Sequence, residues 1–173
     1  MATETTSKDE LLSEINKAVS EMYDLTCAMD KDSINTVPFE NSWTAGQLLR
    51  HVSKSISGMA TVMEIPAREA ERNAAQRVPE LRDLFLDFSI MLKSPESIEP
   101  EEGHYSVKNS VEQLTAAYMH LKESATKTDI HELVEGLLLG PITKLELLHF
   151  VLYHTQRHLH QLKNIVSTLT SAP

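Results

Sequence analysis

Four times in this chain a hydroxyl residue is followed three positions later by Glu or Gln, just ahead of an apolar-periodic run. The pairs are Ser7 with Glu10, Thr44 with Gln47, Ser110 with Gln113, and Thr143 with Glu146. This is the capping-box arrangement, in which side chains satisfy the N–H groups that a first helical turn leaves without partners. Four such starts, with five Gly, seven Pro and few alternating β-branched runs, predict a mostly helical chain. The length of 173 residues suits one compact domain spanning residues 1–173.

The first helix is expected over 7–31, with Leu11, Ile15, Val19, Met22 and Leu25 or Cys27 facing inward. The second is expected over 44–64, carrying Leu48, Val52, Met59 and Val62 and closed by Pro66. The third main helix is predicted over 110–124 and the last over 143–168. "PELRDLFLDFSIML" reads as a further short helix, and "KSPESIEPEEG" as an acidic, Pro-rich connection. "DIHELVEGLLLGP" predicts a turn of helix ended by Gly140 and Pro141. Four amphipathic helices with a long crossover between the second and third define an all-α four-helix bundle.

Charge narrows the partners. Sixteen Lys and Arg stand against twenty-five Asp and Glu, a net charge of -9, and the basic residues do not cluster. Phosphate backbones and anionic membrane surfaces are bound by neutralising them, so neither nucleic acid nor membrane is expected as a partner. No apolar run approaches the roughly 18 residues of a membrane-spanning helix. The polar start "MATETTSKDE" has no apolar core of a secretory signal, so a cytoplasmic location is expected. The single cysteine, Cys27, has no internal disulfide partner and is expected to be a small buried hydrophobe.

The stretch "HFVLYHTQRHLHQL", from His149, holds four of the eight histidines. At about 100° per helical residue, with His154 at zero, His158 falls at about 40°, among Leu147, Val151, Leu162 and Ile165. His149 and His160 fall at about -140° and -120°, beside Gln156 and Lys163, and are expected to face solvent. Two inner imidazoles one turn apart have the spacing by which a helix gives two ligands to a metal, and equally that of two hydrogen-bonded core histidines. In "NSWTAGQLLRHVSKS", His51 shares a stripe with Thr44, Gln47, Ser55 and Val62 bordering the apolar face. It is a candidate third ligand from a second helix. Three neutral imidazoles suit Zn, Ni, Cu or Fe. Gln161 is placed to orient a ligand or to bond across to another helix. His104, in "EEGHYS", and Trp43 are candidates for the pocket wall, and Arg157 for binding an anion or an acidic residue. His120 and His131 are expected at the surface.

"WTAGQLLRH", Trp43 to His51, and "HTQRHLHQ", His154 to Gln161, together resemble the paired motifs of the DinB-like superfamily. The first resembles its Trp-Thr/Ser-x-x-Gln-x-x-x-His stretch and the second its His-x-x-x-His-x-x-Gln stretch, in the branch of mostly uncharacterised bacterial proteins. The resemblance implies a four-helix bundle, often a homodimer. It also implies a divalent metal, nickel or zinc with iron as a further occupant, held by His51, His154 and His158. Some relatives are thiol-dependent transferases or isomerases using bacillithiol or mycothiol. The chain departs from the family at Leu159-His160, where a small pair often stands. The implied function is metal-dependent thiol transfer or hydrolysis on a small molecule, with no protein nucleophile required. The alternative is a bundle that binds metal without catalysis, or that acts only through protein partners.

Overall fold

A computed structural model describes residues 7–171. Four long helices form the bundle: α1 (Lys8–Cys27), α2 (Ala45–Glu64), α4 (Val107–Thr126) and α5 (Lys144–Ser171). A shorter helix, α3 (Val78–Leu86), packs on α5. Leu11, Ile15 and Met22 of α1, Leu48, Ile56 and Met63 of α2, Leu114 and Leu121 of α4, and Leu148 and Leu162 of α5 meet in one hydrophobic cluster. The chain is a four-helix bundle, as its periodicity predicts.

Helix directions explain the crossover. Arg50 meets Gln113 near one end of the bundle and Glu64 meets Ser124 toward the other, so α2 and α4 run parallel. Lys8 reaches Thr128 and Tyr118 reaches Leu12, so α1 runs against α4. Parallel neighbours of 20 residues oblige the chain to travel back about 30 Å between them. Residues 65–106 do this, carrying α3 along α5 and then laying residues 94–98 beside His51.

Three of the four capping boxes form: Ser7 with Glu10, Thr44 with Gln47, and Thr143 with Glu146. The fourth does not. α4 begins one turn earlier, where Ser106 Oγ accepts from Asn109 N at 3.2 Å, and Ser110 lies buried within the helix. α1 also ends before residue 31. Its last inward position is Thr26, fully buried and donating to Met22 O, which leaves Cys27 exposed rather than in the core.

The segment expected as a helical turn before Pro141 is instead part of a small sheet. β2 (Glu132–Val134) pairs antiparallel with β1 (Arg68–Glu69) and with β3 (Ile142–Thr143). Helix periodicity in "IHELVEGLLL" yields to pairing because the neighbouring segments lie beside it. Gly140, at φ 72, turns the chain into β3 in the left-handed region that glycine adopts without steric cost. Lys144 ties the sheet to the bundle. Its buried ammonium donates to Ile65 O at 2.8 Å and to Glu132 Oε2 at 2.6 Å.

Candidate metal centre

His51 lies in the second turn of α2, and His154 and His158 stand one turn apart on α5. All three are buried, with 2%, 6% and 8% of their surface exposed. Their Nε2 atoms form a triangle with edges of 3.2 Å (His51 to His154), 3.1 Å (His51 to His158) and 3.1 Å (His154 to His158). The inner faces read from helical angles are therefore brought together, across 103 and 107 residues of sequence.

The opposite ring nitrogens decide the protonation. His51 Nδ1 is 3.0 Å from the carbonyl of Ile98, an acceptor, and His158 Nδ1 is 3.0 Å from Gln161 Oε1. Each Nδ1 therefore carries the proton, and each Nε2 presents a lone pair to the centre. Burial holds all three rings below the ordinary histidine range. His51 is lowered by burial against the Ile98 hydrogen bond, which raises it. His154 is lowered well below that range, by burial first and then by its two neighbours. Burial and then His51 push His158 down to about 3. Neutral imidazoles with facing lone pairs are suited to a cation, and without one the His51 and His158 nitrogens oppose acceptor to acceptor. The edges also fit. Metal–N bonds of about 2.0 Å in tetrahedral geometry place nitrogens about 3.3 Å apart, and bonds of about 2.1 Å in octahedral geometry place them about 3.0 Å apart.

Aromatic rings wall the group. Trp43, half-buried, stands 4.9 Å from the His51 ring, and Phe150 and Phe85 stand 5.3 and 6.0 Å from that of His154. Phe85, Phe150 and the Ile98 carbonyl are parts that the sequence does not single out. The two phenylalanines look like any core residue, and a backbone acceptor carries no side-chain signal.

The other candidates take different places. Gln47 Oε1 accepts from Thr44 N at 3.0 Å, so its amide belongs to the cap of α2. Arg157 donates to the carbonyls of Phe85, Asp87 and Ile90, fastening the end of α3 to α5. His104 is exposed in the loop before α4. His149, expected to face solvent, is buried at 7% exposure with its Nδ1 3.2 Å from Tyr153 Oη. A wheel for a bare four-helix bundle leaves out α3, which packs on α5 with Phe85 against Phe150 and His154. His160 is exposed, as expected, and stacks on Phe88 at 4.2 Å.

A four-helix bundle with three buried, convergent imidazoles on two of its helices defines a class of candidate metal-binding bundles. Within it, the chain belongs to the DinB superfamily, whose family model matches residues 14–162. It is similar to the uncharacterised protein YuaE of Bacillus subtilis (strain 168), at 23% identity over 168 residues covering 93% of this chain and 100% of the relative. Its fold is similar to that of the crystal structure of TT2238, a four-helix bundle protein, with a TM-score of 0.61 at 19% identity, over 91% of this chain and 99% of that one. Among the described residues, no helix is long and apolar enough to cross a membrane.

Proposed function

We propose that His51, His154 and His158 hold a divalent transition metal, nickel or zinc with iron as a further occupant, and that the centre serves thiol transfer or hydrolysis on a small molecule. The observation that carries the metal is the triangle of Nε2 atoms at 3.1–3.2 Å, with Nδ1 of two rings bound to oxygen acceptors. A cation there supplies Lewis acidity, lowering the pKa of a bound water or thiol. The protein's part is to hold and orient the ligands. Ile98 O fixes the His51 ring, Gln161 fixes that of His158, and Trp43, Phe85 and Phe150 limit the access of water. Among the described residues no carboxylate or thiol joins the three imidazoles, which favours coordination positions open to a substrate. The thiol chemistry and a homodimeric state rest on the family resemblance.

The low exposure of the three rings favours a second reading, a closed bundle that binds metal without catalysis. Metal content by plasma mass spectrometry, on protein purified without a histidine tag, tests the site. About one metal per chain, lost in both His51→Ala and His154→Ala, is expected. No uptake after incubation with Ni, Zn and Fe(II) would remove the proposal. Adding a small thiol to the nickel-loaded protein then separates the two readings: a changed absorption spectrum means an open position, and an unchanged one a closed centre.

A further inference from the structure

A groove of about 750 Å³ runs along α2 and α4 beneath the crossover, a size usual for small-molecule sites. Met59, Val62 and Ala117 are among its apolar lining, and Arg50 and Lys54 line it as well. It is separate from the histidine triangle. Ile98 lines it, and the Ile98 carbonyl meets His51 at Nδ1, the ring nitrogen away from the centre.

Both cations are engaged by the chain's own Glu101. Arg50 Nε donates to Oε2 at 2.8 Å and Arg50 Nη2 to Oε1 at 3.1 Å, a two-pronged grip on one carboxylate. Lys54 Nζ adds a bond to Oε1 at 3.1 Å and another to Glu99 O at 2.7 Å. The contact with Arg50, a backbone hydrogen bond and Lys54 hold the Glu101 carboxyl down at about 2. Two cations aimed at one carboxylate form the usual recognition geometry for that group in a ligand. The two sides of the contact differ in backbone setting and exposure. Arg50 and Lys54 stand on consecutive turns of a long helix with side chains 31% and 23% exposed. Glu101 is 55% exposed, in an irregular segment between Pro100 and Gly103. The cations thus stand on a regular helix, and the carboxylate they hold stands on a loop side chain.

We propose that this groove binds an amphiphilic carboxylate, whose apolar body lies on Met59, Val62 and Ala117 and whose carboxylate replaces that of Glu101 on Arg50 and Lys54. The site does not depend on the metal. Its test is therefore made on metal-free, untagged protein, by calorimetric titration with octanoate and with octanol as the uncharged control. Saturable binding of octanoate, and weaker binding of octanol, is expected. Glu101→Gln removes the internal competitor and should tighten octanoate about fivefold, the worth of an exposed ion pair. The double variant Arg50→Gln with Lys54→Gln should weaken it tenfold or more, as loss of charged hydrogen bonds does. Circular dichroism checks that each variant keeps its helices. The proposal is overturned if octanol binds as well as octanoate, or if the double variant binds unchanged. It is equally overturned if Glu101→Gln melts lower with no gain in affinity, which is the mark of a latch alone. Absence of binding to both wild type and Glu101→Gln up to about 10 mM ligand overturns it too.

Discussion

Substitutions at single residues separate the imidazoles of the candidate centre from the other two histidines of α5. His154→Ala or His158→Ala should abolish metal binding, and His160→Ala, at an exposed ring, should leave it intact. His149→Ala should also leave metal content unchanged. It should nonetheless lower stability in urea by about 1–3 kcal/mol, because it strips a buried partner from Tyr153. Equal metal loss from His149→Ala and His154→Ala would refute the separation of the two. Gln161→Leu removes the acceptor at His158 Nδ1 and should weaken metal affinity by about 10–100-fold, measured by chelator competition. At this scale the inward-facing pair His154 and His158 is legible, because i, i+4 spacing and helical angle are properties of the chain itself. The burial of His149 is not, since a position on a helical wheel does not say what packs against it.

The start of α5 is set by a buried carboxylate. Glu146, fully buried, accepts from Arg72 Nη1 and Nη2 at 2.6 Å each, from Arg77 N at 2.7 Å and from Thr143 N at 2.9 Å. Burial alone raises its pKa, but Arg72 and the two backbone N–H groups outweigh burial and hold the carboxyl below the ordinary range. The lowered folded value means that its stabilisation is fully present above the unfolded value of about 4.3 and is lost as pH falls through the folded one. Glu146→Gln should therefore cost about 2–3 kcal/mol at pH 7, with the difference from wild type shrinking as pH falls below about 4. A difference independent of pH would refute the charge-based account. The pairing of Thr143 with Glu146 was visible as a capping box, whereas its link to Arg72, 74 residues away, was not. On α2, a Cβ at Gly46 would lie 2.5 Å from Tyr105 Cβ, whereas one at Gly58 meets nothing within 4 Å. Gly46→Ala should destabilise by about 1–3 kcal/mol through overpacking. Gly58→Ala should stabilise by about 0.5–1 kcal/mol, the helix-propensity gain. Urea titration of the two variants reads both signs.

For the molecule as a whole, a metal at the centre would join α2 to α5, helices far apart in sequence, and so would bind the native state alone. At a free metal concentration 100 times Kd the folded state should gain about 2.7 kcal/mol, raising Tm by roughly 5–10 °C in a chain of this size. Nickel or zinc titration followed by calorimetry checks this, and His51→Ala should remove the shift. The helical class, three of the four helix starts and the inward pair on α5 were determined by the sequence alone, because they arise from interactions within a few residues. Only the tertiary structure decided the rest: the small sheet at β1–β3, the burial of His149, the Ile98 carbonyl behind His51, and the grip of Arg50 and Lys54 on Glu101. Each of these joins or covers segments by a contact between different elements. Periodicity and capping report which way a residue faces on its own helix. What stands opposite it is decided when the crossover folds back along the bundle.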